Sequence, residues 1–146
     1  MVDELKGVFK GFDISAAGLR AELKRSEVVA SNLVNMHRTG NAEREPYRRK
    51  IAQFDEVLDK AMGRSSANAG GGAEITRVVD DQSPFPSFYQ PGHPDADENG
   101  MVMGSNVELF QELADMQVIA RSVDANLAAM RTYRAMLQNV IQNMSK

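Results

Sequence analysis

The chain contains no cysteine and no tryptophan. Without cysteine there is no disulfide framework, no thiolate zinc site and no thiol nucleophile. The compartment stays open, because a cysteine-free chain suits any redox environment. Aromatic residues make up only 6% of the 146 residues, and the apolar fraction is 42%, slightly below the roughly 45–50% usual for soluble domains. That shortfall suits elongated helices and loops better than a thick core. Long hydrophobic runs are missing too. The opening MVDELKGVFKGF has no apolar core of about 7–15 residues, so no cleaved secretory signal is expected. No run approaches the roughly 20 apolar residues that span a bilayer, so direct membrane insertion is not expected. A net charge of −3 supplies no general basic field for nucleic acid or anionic lipid. Proline is scarce and clustered: Pro84, Pro86, Pro91 and Pro94 hold one short stretch extended or turned.

What is present is periodic. Near the C-terminus a stripe runs Leu109, Leu113, Met116, Ala120, Val123, Leu127, Met130, Arg134, Leu137, Ile141, Met144. Every step is three or four residues, and Arg134 alone is not apolar. Near the N-terminus the same spacing runs Phe12, Ala16, Leu19, Leu23, Ser26, Ala30, Leu33, His37. Stripes repeating every 3.5 residues stay on one side of a slightly underwound helix and want a partner helix along their length. The first helix is expected over about residues 13–37, with Asp13 as N-cap and breakers at Thr39, Gly40 and Asn41. The second is expected from a capping box at Ser105–Glu108 to Ser145. At about 1.5 Å per residue these would be roughly 37 Å and 60 Å long. So unequal a pair would leave part of the longer seam for other chains.

Between the helices the character changes. Tyr47–Met62 reads as strand and then short helix, Gly63–Gly72 as a flexible linker, Glu74–Val79 as a strand, and Met101–Met103 as a short strand after the turn at Asn99-Gly100. The expected organisation is an N-terminal helical segment over 1–42, a loop-rich middle over 43–104 and a long helix over 105–146.

Each candidate for chemistry has a plainer reading. Asp95 to Gly100 matches the first six positions of a calcium loop, but position twelve is Asn106 rather than a bidentate Glu, and Pro91 and Pro94 forbid the preceding helix. An acidic turn bonding its own backbone is expected. Arg38, Arg44, Arg48, Arg49 and Lys50 are interrupted by Glu43 and Glu45. They read as a solvated loop or a charged rim for an acidic neighbour, not a nucleic-acid site. His37 and His93 are too few for a closed zinc site, and neither has a nucleophile beside it in sequence. Gly70-Gly71-Gly72 lacks the Lys-Ser/Thr ending of a phosphate loop. No enzyme activity, metal or cofactor is expected. Six of nine Met lie at or beyond Met101, which suits either a surface meeting non-identical neighbours or ordinary core filling. Arg134 either fixes register or extends its stem to solvent.

Several segments together resemble one family. The first helix carries FDISAAGLRAE from Phe12 and then ASNLVN from Ala30, the latter close to the Ser-Asn-x-x-Asn signature of flagellar axial proteins. PYRRK at Pro46–Lys50, SPF at Ser83–Phe85, YQPGHPDADENG at Tyr89–Gly100 and DMQVIARSVDAN at Asp115–Asn126 extend the likeness over nearly the whole chain. By these motifs the sequence resembles the FlgC family of proximal rod proteins of the flagellar basal body. The resemblance implies export by the flagellar type III apparatus without a cleaved signal. It also implies polymerisation with itself and other rod proteins into the torque-transmitting periplasmic rod, and terminal segments that order on assembly. The expected fold is mainly α, with the two terminal helices paired antiparallel through heptad seams as a coiled coil and a small β-containing middle. Leu19, Leu23, Leu33, Leu113, Val123, Leu127, Leu137 and Ile141 are the expected assembly contacts. Asn32, Asn35, Asn126 and Arg134 are the polar positions expected to fix register. A soluble helical binding protein, such as a secretion adaptor or chaperone, is the alternative.

Overall fold

The computed structural model describes residues 2–41, 43–56 and 73–144. Two long helices, α1 (Val2–Asn35) and α2 (Leu109–Met144), flank four short strands: β1 (Lys50–Glu56), β2 (Ala73–Asp80), β3 (Ser87–Tyr89) and β4 (Met101–Met103). The terminal helices pack against each other, antiparallel. β1 pairs with β2, and β3 pairs antiparallel with β4 in the register Ser87↔Met103, Phe88↔Val102, Tyr89↔Met101. The expected strands at Glu74–Val79, at Met101–Met103 and in the stretch from Tyr47 are therefore present, the last running through Phe54 to Glu56. The expected short helix after Glu56 and the Gly63–Gly72 linker lie outside the described residues. Among the described residues, no helix is long and apolar enough to cross a membrane.

Both helix starts differ from expectation. Asp13 is not an N-cap but an exposed residue inside α1, which begins at Val2. Just before Asp13, Gly11 lies directly against the Tyr133 ring of α2. At the other end, Ser105 does not close a capping box. Its Oγ accepts from Val107 N at 3.2 Å, only two residues on, and the first backbone helical bond runs from Glu112 N to Glu108 O at 3.1 Å. Asn106 is tied to Arg49, Asp81 and Ser83 of the strand-bearing middle, and the helix starts only at Leu109. With 34 and 36 residues, the helices are about 51 and 54 Å long at about 1.5 Å per residue. The expected mismatch in length is absent.

The chain divides into two compact units. One holds α1 up to Arg25 and α2 from Val118, and the other holds Ser26–Gln53 and Arg77–Gln117. In the first unit the helices meet through small residues. A Cβ at Gly11 would stand 2.5 Å from Tyr133 ring atoms, and one at Gly18 would stand 3.1 Å from Asn126 Oδ1. Ser15, Ala21 and Ile119 are buried in the same unit. Lacking side-chain bulk at Gly11 and Gly18, α1 approaches α2 closely and receives Tyr133 and Asn126 as knobs.

In the second unit the chain reverses through the Pro-rich segment. Asn99 N and Met101 N both donate to Asp97 Oδ1 at 2.8 Å, and Gly100 N donates to Asp97 O at 2.9 Å. Gly100 has φ +76°, a left-handed conformation that side chains disfavour. The stretch is thus an acidic turn bonding its own backbone. Asp95 is committed too: it accepts from Thr39 Oγ1 at 2.6 Å and pairs with Arg44 Nη2 at 3.4 Å.

Candidate assembly interface

In the second unit, a buried polar cluster holds α1, the entry to β1 and α2 together. Asn32 is 1% exposed and Glu112 is fully buried. The Asn32 amide donates to Glu112 Oε2 at 3.1 Å and to Lys50 O at 2.9 Å, while its oxygen accepts from Lys50 N at 2.9 Å and Tyr47 Oη at 3.0 Å. Arg49 Nε donates to Glu112 Oε1 at 2.5 Å, Nη2 to Asp115 Oδ2 at 3.2 Å and Nη1 to Asp81 Oδ2 at 3.4 Å. Asn106 completes the cluster, accepting from Arg49 N at 2.6 Å and donating to the carbonyls of Asp81 and Ser83 at 3.2 Å. A buried charge is tolerated only when paired and hydrogen-bonded, and here the guanidinium meets three carboxylates. Burial alone would lower the Arg49 pKa. The Glu112 hydrogen bond and charge, aided by Asp81 and Asp115, raise it above the usual arginine value. Arg49 is therefore charged at every pH at which the protein is handled.

This corrects the reading of the basic cluster as a solvated rim. Arg49 is buried. Arg48 stacks over Phe85 at 4.1 Å and donates to Asp81 O at 3.0 Å and Ser83 O at 3.3 Å. Arg38, Arg44 and Lys50 do face solvent, and with Arg48 and Tyr47 they line an open polar notch of about 330 Å³.

Asp81 makes the cluster acid-sensitive. The Ser83 hydroxyl at 2.6 Å, the Ser83 N–H at 2.9 Å and then Arg49 hold its carboxyl below the ordinary aspartate value. A carboxyl lowered in the folded state stabilises it above the unfolded pKa of roughly 3.9, and that contribution is lost as pH falls through the folded value. Urea-unfolding midpoints should hold steady from neutral pH to about 5 and then fall. Asp81→Asn should flatten the lower part of that profile, and an unchanged profile in the variant would refute the assignment.

The predicted seam residues fall one step away from the faces that the helices use. On α1 the contact positions Gly11, Gly18 and Asn32 each precede an apolar-stripe residue: Phe12, Leu19 and Leu33. On α2, Glu112, Ile119, Asn126 and Tyr133 precede Leu113, Ala120, Leu127 and Arg134. One residue is about 100° around a helix with 3.6 residues per turn, so the apolar stripes flank the line of closest approach. Leu23 is 51% exposed, Leu113 45% and Ile141 65%, and Arg134 is exposed. Leu19, Leu33, Val123, Leu127 and Leu137 are half-buried. Among the polar positions, Asn32 is consumed by the cluster, Asn126 sits over Gly18 and bonds Ser122 O at 3.0 Å, and Asn35 bonds Ser31 O at 2.7 Å.

In the first unit the two stripes border a groove of about 660 Å³, walled by Phe9 and Phe12 of α1 and by Leu127, Met130 and Leu137 of α2. Sequence reasoning found most of these walls but missed Arg49, Glu112 and Asn106. The available signal was a second ladder of seven-residue steps, Gly11-Gly18-Arg25-Asn32 and Glu112-Ile119-Asn126-Tyr133, which its mixed polarity conceals.

A mainly helical chain whose helix pair is locked on itself by small and polar residues, with its leucine-rich stripes half-open, has the make-up of a structural subunit. Comparison with known proteins agrees. The chain is 35% identical over 145 residues to the flagellar basal-body rod protein FlgC of Bacillus subtilis, covering 92% of this chain and 96% of that protein. It is also 35% identical to the FlgC proteins of Salmonella typhimurium (86% and 90% covered) and Agrobacterium fabrum (88% and 88%). The chain belongs to the FlgC family of flagellar basal-body rod proteins. No protein-family model matches it.

Proposed function

We propose that this protein is a rod subunit that polymerises, with itself and with other rod proteins, through the apolar stripes of its terminal helices. The observation that carries this reading is the one-residue offset. The helices satisfy each other through Gly11, Gly18, Asn32 and their partners, which leaves Leu19, Leu23, Leu33, Leu113, Val123, Leu127, Leu137 and Ile141 to face neighbours in the assembly. Arg134, exposed on the same stripe, sets register with an acidic neighbour. Asn32, Asn35 and Asn126 act within the chain, holding the stripes in position. Delivery is by the flagellar type III export apparatus without a cleaved signal, and the subunit works in the periplasmic part of the basal body. Its role is mechanical, and neither nucleic acid nor a cofactor enters it.

The test is replacement of the resident FlgC gene by this chain with a small epitope tag, followed by purification of detergent-resistant basal bodies. The tag should co-purify with rods, and the cells should assemble hooks. Absence of the tag from intact basal bodies, with the protein present in the cell, overturns the proposal.

A further inference from the structure

Two exposed features of one copy complement each other in shape and charge. The first is the groove of the first unit, with its Phe9, Phe12, Leu127, Met130 and Leu137 walls. Arg131 and Arg134 stand at its rim against a single acid, Asp13. Neither arginine makes an ion pair or a side-chain hydrogen bond among the described residues. The second is the start of α2 in the second unit. Phe110 is 78% exposed, and Leu109 and Leu113 are 39% and 45% exposed. These positions (i, i+1 and i+4) form one ridge on the helix surface, immediately preceded by the exposed Glu108. A phenylalanine so open beside two leucines is a cluster of the kind that marks an interaction surface.

We propose that the groove of one copy seats the Leu109–Phe110–Leu113 ridge of a second copy, with Glu108 of that copy meeting Arg131 and Arg134. This deepens the rod-subunit reading and rests on it, naming the contact by which copies of this chain join. Apolar walls receive an aromatic anchor, and a rim of two cations receives a carboxylate, an arrangement that gives both affinity and register. Seat and ridge are different patches, so where copies join head to tail the contact is heterologous. Each copy offers one of each, and repetition can extend without closing into a pair.

The test is sedimentation velocity of the full chain over a concentration series up to about 1 mM, where a Kd corresponds to only about −4 kcal/mol. The wild type should grow beyond monomer. Arg131→Glu/Arg134→Glu reverses the seat and Glu108→Arg reverses the ridge, and each alone should weaken association at least tenfold. An equimolar mixture of the two should recover it, because every contact between one variant and the other again joins opposite charges. Phe110→Ser should weaken association similarly while leaving the helical signal and melting temperature unchanged, since the residue touches little in its own chain. A wild type that stays monomeric throughout overturns the inference, as do single variants that associate normally or a mixture that fails to recover. The rod reading is judged separately. A chain found in basal bodies whose variants associate normally refutes only this contact, whereas a chain absent from basal bodies refutes the rod assignment itself.

Discussion

Glu112→Ala should lower stability by about 3–5 kcal/mol, the range seen when one partner of a buried ion pair is removed. Glu112 is fully buried and binds both Arg49 Nε and the Asn32 amide. Its loss strands a guanidinium in a site closed to water, with Asp81 and Asp115 at 3.4 and 3.2 Å as partial compensation. For a chain of this length, about 2–4 °C per kcal/mol places the fall in melting temperature near 10 °C. Glu112→Gln should cost less, about 1–3 kcal/mol, because it keeps an acceptor for Arg49 but presents a donor where Asn32 also donates. Replacing both charges, as in Arg49→Met with Glu112→Met, should recover much of the loss, since an apolar pair of similar volume needs no desolvated charge. Thermal melts of the four proteins decide the matter. A Glu112→Ala melting point within about 1 °C of wild type would exclude a central role for the cluster.

Leu127→Asp should abolish entry into the rod. Leu127 is half-buried on the wall of the apolar groove, and a carboxylate there must either lose hydration without a partner or keep the groove open to water. An unpaired polar group in such a site costs roughly 2–7 kcal/mol, a factor of at least about 30 in binding. The expected readout is a chain that is made and exported, retains its helical signal, but leaves cells non-motile and basal bodies without rods beyond the point of its insertion. Leu127→Met, which preserves volume and polarity, should swim normally. Motility and complete rods in Leu127→Asp would refute the proposed interface. A melted chain would be recognised by loss of helical signal, and Phe110→Ser then tests the complementary patch proposed to enter the groove, a side chain 78% exposed in its own chain.

Much of the molecule is written in short-range pattern. Helix existence, two of the strands and the acidic turn at Asp97 follow from 3-4 spacing, β-branched runs and Asx chemistry, which are local and need no partner. The family follows from motifs such as SPF at Ser83–Phe85 and YQPGHPDADENG from Tyr89. What local pattern did not specify was rotation. Periodicity identifies a stripe but not which neighbour covers it, and the most apolar stripe was the natural candidate for the contact between α1 and α2. Close approach chose otherwise: Gly11 and Gly18 let the helix axes draw together, and Tyr133 and Asn126 fill the space where those residues have no side chain.

The same limit explains Arg49. In sequence it sits among Arg44, Arg48 and Lys50 and reads as surface charge. Only the folded chain brings Glu112, Asp115 and Asp81, from 32 to 66 residues away, onto one guanidinium. The start of α1 shows it once more, because Asp13 reads as a cap in sequence while the helix begins at Val2 and sets Gly11 against Tyr133 of α2. Residue pattern alone therefore established the helices, the turn chemistry and the family. Tertiary structure decided which face each helix spends inside the chain and which it leaves exposed, because that choice depends on the closest distance two backbones can reach, a property of pairs of segments and not of either one.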